Sequence, residues 1–257
     1  MKQLPTMDIG DRIVFGGTGS GNLNSVLPDE VENLDPDYSV YPQNNESFGF
    51  ITRGCIRKCP FCVVPEKEGL IRQVSTISAI VKHKKVNFLD NNILAFNNHL
   101  DVLKELVEKR TYCRFMQGLD IRLVTKENGE LLSKLRYLKE YTFAFDDIKY
   151  FECIKEKLKF LNWRHEWQLR FFVYCHPDMK ISTVLFRINW LKKQKILPYL
   201  MRDISCWKSD NSNFYVDLAG YTNQPGIFKL YEFEEYLYER TTDLARIKKS
   251  LELYKTN

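Results

Sequence analysis

The chain contains no run of about 18 apolar residues, and its opening Met1-Lys2-Gln3-Leu4-Pro5 has no apolar core of the kind a signal peptide carries. Those two absences argue against a membrane span and against export, so the cytoplasm is the expected compartment. There the seven cysteines read as thiols and metal ligands rather than a disulfide framework. Long blocks of like charge are also missing. The net charge of +5 is spread over short clusters, Lys82-His83-Lys84-Lys85, Lys192-Lys193 and Lys248-Lys249, each at or near a predicted helix end. Nucleic acid stays open as a partner, but no segment identifies a binding module. Phosphate-loop chemistry is excluded in detail. Gly16-Gly17-Thr18-Gly19-Ser20-Gly21 follows a strand-like Ile13-Val14-Phe15, yet Asn22 and Leu23 stand where Lys and Ser/Thr would contact phosphate and magnesium. The third glycine of a dinucleotide fingerprint is out of place as well.

What the chain does have is one tight cysteine triplet. Cys55, Cys59 and Cys62 lie in Gly-Phe-Ile-Thr-Arg-Gly-Cys-Ile-Arg-Lys-Cys-Pro-Phe-Cys-Val-Val-Pro, directly after a β-prone stretch. Structural zinc takes four protein ligands, usually as two close pairs. Here the next cysteine is Cys113 and the nearest downstream histidine is His83, neither at knuckle spacing. Three thiolates suit an iron–sulfur cluster better. Three ligands on a four-iron cube leave one iron open to a substrate or cofactor. Zinc and three inert thiols are the competing readings.

From Phe48 onward strands and helices alternate. Strand-like segments begin near Phe48, Val86, Arg114, Tyr141, Leu169 and Ile196, and helical stripes of apolar residues separate them. Six such units predict an α/β fold with parallel strands and right-handed crossovers. Polar residues close the apolar strands: Asp90-Asn91-Asn92, Asp120 with Arg122, Asp146-Asp147, Tyr174 to His176, and Arg202-Asp203. Each alone could be a cap or a turn. In series they predict a shared polar site at the carboxyl ends of the strands. Residues 1–47 read as an irregular segment, 48–205 as the core, and 206–257 as a polar loop, Trp207 to Pro225, followed by a helix from about Tyr231.

The Cys-x3-Cys-x2-Cys loop, with the aromatic Phe61 before its third cysteine, resembles that of the radical S-adenosylmethionine (SAM) superfamily. The resemblance covers roughly residues 48–205 and implies a six-stranded parallel partial TIM-like (β/α)6 barrel, with the cysteine loop after the first strand. It implies that Cys55, Cys59 and Cys62 hold an oxygen-sensitive [4Fe–4S] cluster and that SAM binds its open iron. Reductive cleavage of SAM would give a 5′-deoxyadenosyl radical that removes hydrogen from a substrate. A flavodoxin or ferredoxin is the implied electron donor. Asp90 and Asn91 occupy the place of the Gly-Gly-Glu that commonly meets the SAM amino group, although the wording differs. Phe61 is expected near the adenine, and Asp120, Arg122 and Asp146 are candidates for ribose or carboxylate contacts. Arg53 and Arg57 flank the cluster loop. Cys175, at a strand end, is a candidate hydrogen donor; a buried core thiol is the alternative. The stretch from Leu27-Pro28 to Tyr41-Pro42 resembles the linker that precedes the barrel in cobalamin-type members, so residues 1–47 are expected to be a remnant without cobalamin.

Gly54-Cys55 and Phe61-Cys62-Val63-Val64-Pro65 also resemble the cluster loop of methylthiotransferases that modify tRNA or a ribosomal protein. Those enzymes carry further cysteines N-terminal to the loop, and none precedes Cys55 here. Two other classes remain in view: a non-catalytic iron–sulfur protein for electron transfer or sensing, and an RNA-binding module with structural zinc.

Overall fold

The computed structural model describes residues 27–255 apart from 33, 35 and 164; the strand-like Ile13-Val14-Phe15 and the glycine-rich turn after it lie outside the described residues. Six strands carry the fold: β1 (Glu46–Gly49), β2 (Lys85–Phe88), β3 (Tyr112–Phe115), β4 (Tyr141–Ala144), β5 (Leu169–Cys175) and β6 (Leu197–Arg202). Every pairing among them is parallel. Phe48 sits opposite Asn87 and Asn87 opposite Arg114 in one sheet; Phe143 sits opposite Phe171 and Cys175 opposite Arg202 in the other. A short strand, Arg136–Tyr137, fills the place beside the first half of β3. Beyond the end of β3 the chain turns at Gly118 (φ +87°), and Leu119 forms a parallel bridge to Phe143, its N–H donating to Thr142 O at 2.8 Å. The strands thus form two parallel sheets, each in chain order, joined by that single bridge beyond the end of β3.

Side-chain alternation explains the layers. Along β5 every second residue, Leu169, Phe171, Val173 and Cys175, is buried, while Arg170, Phe172 and Tyr174 on the other face are only partly covered. The fully covered row Val86, Phe88, Phe115, Phe143 and Phe171 forms the centre of the core. Burying each such side chain contributes about 1.5–3 kcal/mol. The crossover helices lie over this row: α1 (His99–Glu108), α2 (Lys126–Lys134), α3 (Phe151–Lys157) and α4 (Ile181–Lys193). Helix α2 opens with a reciprocal cap between Thr125 and Asn128. Ahead of β2 the chain makes a single helical turn, Ile77–Ile80, capped by Thr76.

The C-terminal part differs from the expected polar loop and single helix. Helix α5 (Ser212–Thr222) occupies most of the supposed loop, followed by α6 (Pro225–Leu230), α7 (Phe233–Arg240) and α8 (Leu244–Lys255). The Ser, Asn and Asp residues around 209–213 conceal a helical stripe, because Phe214, Tyr215, Leu218, Ala219, Tyr221 and Thr222 are all buried. A break at Thr241, whose backbone is extended, divides α7 from α8. Among the described residues no helix is long and apolar enough to cross a membrane.

Candidate cofactor site

The cysteine loop hangs from a two-residue antiparallel ladder, Thr52–Arg53 with Arg72–Gln73. At its root Gly54 adopts φ +89°, and a Cβ there would lie 2.3 Å from Leu70 O, so only glycine fits. Cys55 N–H then donates to Gly69 O at 3.1 Å, which closes the base of the loop.

The end of β2 supplies the rest of the anchor. Asp90 is fully buried; its carboxylate accepts from Ile51 N at 3.2 Å, Thr52 N at 2.6 Å and Thr52 Oγ1 at 2.7 Å. Burial raises its pKa, and these bonds oppose the rise. Asn91 Oδ1 accepts from Gly54 N at 3.0 Å. Asn92 Nδ2 donates to Cys55 Sγ at 3.4 Å, while its Oδ1 is buried without a partner. Three successive side chains at one strand end thus hold Cys55 and the residues leading to it. Asp90 and Asn91, expected to face a ligand, are engaged with the loop backbone.

All seven cysteines are free thiols, and those of the loop are partly buried. Cys55 Sγ also accepts from Arg57 N at 3.3 Å. Cys59 has its pKa raised, first by burial and then by the Asp146 carboxylate, with Arg122 opposing and Cys62 and Cys55 adding to the rise. The three thiols share one loop, but among the described residues no three His, Cys, Asp or Glu side chains are gathered as a metal-binding group. Thiolates repel one another, and it is the charge of a bound metal that offsets this repulsion.

The other strand ends converge on the same loop. Asp120 accepts from Arg57 Nε at 2.8 Å and from Arg122 Nε at 2.6 Å and Nη2 at 3.0 Å. Burial works to raise the Asp120 carboxyl, but the bonds from Arg122 and Arg57 outweigh it and hold it below the usual range. Phe61 stacks on Tyr174, with ring centroids 3.9 Å apart. Tyr174 Oη donates to Asp203 Oδ2 at 2.8 Å, and Asp203 is lowered to about 2, chiefly by the Ser205 hydroxyl. Asp146 is pushed up to about 6, mainly by burial, against Arg187 and Arg122. Arg187, itself fully buried on α4, ties β4 to β5 by donating to Phe145 O at 2.7 Å and Tyr174 O at 3.0 Å. Cys175 lies elsewhere. It is on the helix-facing side of β5, fully buried, and its carbonyl accepts from Cys206 Sγ at 3.5 Å. A side-chain hydrogen bond with the Cys206 thiol, and then burial, raise its thiol pKa.

Sequence reasoning placed Phe61, Asp120, Arg122 and Asp146 at one end of the strands, and the structure brings them around the cysteine loop. It counted Asn92 and Tyr174 among the polar strand ends without a specific task, and it did not mention Arg187. Nothing in the helical stripe of α4 singles out Arg187. The donor set fits an iron–sulfur cluster: three unpaired thiols, two N–H donors on Cys55 Sγ, and guanidinium groups nearby.

No protein-family model matches the chain. Over 117 residues the chain is 30% identical to the tRNA-2-methylthio-N(6)-dimethylallyladenosine synthase of Hahella chejuensis (strain KCTC 2396), a match covering 41% of this chain and 26% of that protein. The likeness is distant and partial, and it is to an enzyme.

Proposed function

We propose that this chain is a radical SAM enzyme whose Cys55, Cys59 and Cys62 hold a [4Fe–4S] cluster at the carboxyl end of a six-stranded partial barrel. The observation that carries the reading is the anchoring of the cysteine loop by Asp90, Asn91 and Asn92, which commits a whole strand end to fixing Cys55. The strand order suits the barrel, since each of the two parallel sheets runs in chain order and a Leu119–Phe143 bridge links them. The distant relative supports enzymatic rather than purely electron-transferring use.

When bound, the cluster and SAM supply one-electron cleavage of the sulfonium, giving methionine and a 5′-deoxyadenosyl radical. The chain's own residues bind and orient. Phe61, fixed on Tyr174, orients the middle of the loop against the end of β5. Asp120 locks Arg57 and Arg122 into one rigid group beside Cys59, so the loop has a fixed positive flank. Asp146 offers a carboxyl for ribose hydroxyls. An electron donor such as a flavodoxin or ferredoxin would approach the loop from the solvent side, where Ile56 and Phe61 are exposed.

A second reading is favoured by the comparison: a methylthiotransferase-like enzyme acting on tRNA, as the name of the distant relative states for that protein. Both readings share the first step. Anaerobic reconstitution with iron and sulfide, reduction with dithionite and addition of SAM should yield 5′-deoxyadenosine, with Cys59→Ala as the blank. A loaded cluster that never produces 5′-deoxyadenosine, with or without a tRNA pool, would leave the electron-transfer class. Zinc in place of iron would overturn both readings.

A further inference from the structure

The three loop sulfurs are not held alike. Cys55 is fixed by its own N–H to Gly69 O at 3.1 Å, and its Sγ accepts from Arg57 N at 3.3 Å and Asn92 Nδ2 at 3.4 Å. For Cys59 and Cys62 the corresponding order is only local: Cys62 N–H donates to Cys59 O at 3.0 Å. Asn92 is therefore the one side chain from outside the loop seen to donate to a loop sulfur among the described residues.

Its placement is costly in a way that identifies its task. Asn92 is 3% exposed, and its Oδ1 meets no donor. A buried acceptor left without a partner costs stability, and leucine would fill nearly the same volume without that cost. The sulfur decides which end of the amide faces it, since a thiolate accepts and does not donate. The backbone holds the side chain in this position, with Ala95 N–H donating to Asn92 O at 3.0 Å. One residue earlier, Asn91 fixes Gly54. The amide is thus held toward Cys55 from the end of β2.

We propose that Asn92 is a tuning residue: its N–H···S bond to Cys55 stabilises the reduced cluster and sets the potential at which the cluster accepts its electron. The inference rests on the iron–sulfur reading above. A donor to a coordinated thiolate withdraws charge from the iron, and the effect is greatest in the more negative, reduced state. Removing it makes the cluster harder to reduce.

The test is redox potentiometry of the reconstituted full chain without SAM, followed by EPR of the reduced form, on wild type, Asn92→Leu and Asn92→Asp. Asn92→Leu keeps the volume and removes the donor; its midpoint potential is expected to move negative. Asn92→Asp sets a carboxylate against the thiolate and is expected to move further in the same direction, with an altered EPR spectrum in both. Loaded variants with the wild-type potential would overturn the proposal. So would loss of the cluster from both variants while circular dichroism shows them folded, because Asn92 would then be a support of the loop. A wild type that binds no cluster at all would instead refute the iron–sulfur reading, which keeps the two failures distinguishable.

Discussion

Phe61 lies flat on Tyr174, the ring centroids 3.9 Å apart and the planes 17° from parallel. Tyr174 is bonded in turn through its hydroxyl to Asp203, so one aromatic pair connects the cysteine loop to the ends of β5 and β6. A stacked pair contributes about 0.5–1.5 kcal/mol beyond its area. A double-mutant cycle of Phe61→Ala and Tyr174→Ala, followed by urea unfolding, is expected to return a coupling of that size. Tyr174→Phe keeps the stack and should leave the coupling intact while removing the bond to Asp203.

Asp120 joins the loop to the end of β3 through Arg57 and Arg122. Asp120→Ala leaves two guanidinium groups without their acceptor. Both reach solvent in part, so a loss of about 1–3 kcal/mol is expected rather than that of a fully buried ion pair. Iron retained per chain after reconstitution should fall with it. Unchanged stability together with unchanged iron content would show that the loop does not depend on this clamp.

The Asp146 carboxyl makes a prediction with a definite sign. Its folded pKa of about 6 lies above the ordinary 3.8. Between those values the folded chain keeps a proton that the unfolded chain releases. By linkage, this group's contribution to stability is therefore full below about pH 4 and is lost as pH rises through 6. Other carboxylates slope the opposite way, so the comparison with Asp146→Asn isolates the effect. In cluster-free protein the variant should gain stability relative to wild type as pH rises from 4 to 7. A constant difference across that range would mean that Asp146 titrates normally.

Asp217, fully buried on α5, accepts from Arg240 Nε at 3.1 Å, Arg246 Nε at 3.0 Å and Ser250 Oγ at 3.3 Å. One carboxylate thus pins α7 and α8 to the strand layer through α5. Asp217→Ala is expected to cost about 2–4 kcal/mol, less than for a wholly buried pair because both arginines are partly solvated. Limited proteolysis should then cut first between α7 and α8, near Thr241. Cleavage elsewhere would place the weak point outside this staple.

The parallel strands were legible because period-two and helical stripes both appear in the chain, and the polar strand ends were legible because Asp, Asn and Arg interrupt apolar runs. The destinations of those side chains were not. Asp90 reads as a ligand contact in sequence, yet the carboxylate reaches back about 38 residues to Thr52, a contact that only the pairing of β1 with β2 creates. Cys175 stands next to Tyr174, but alternation along β5 turns it to the opposite face. Helix α5 was hidden for a different reason: Asn211, Ser212 and Asn213 favour turns locally, and the burial of Phe214, Leu218 and Tyr221 overrides that preference.

Gly54 offers the sharpest test of the loop itself. Its φ of +89° is a conformation that L side chains rarely adopt, and a methyl group there would meet Leu70 O at 2.3 Å and Gly69 O at 2.8 Å. Those carbonyls belong to the returning arm of the loop, the same arm that receives the Cys55 N–H. Gly54→Ala must therefore rotate Gly54 or push the arm away, and either movement breaks the Asn91 bond or the Cys55 bond. The fold should survive, because the core row from Val86 to Phe171 is untouched. The expected result is a protein with wild-type circular dichroism, a loss of about 1–3 kcal/mol from strain, and little iron after reconstitution. Gly69→Ala is the matched control: its φ is also positive, at +69°, but nothing lies within 4 Å of the added Cβ. Strain alone would lower iron content equally in both variants, whereas a requirement for close approach at the root of Cys55 lowers it only in Gly54→Ala.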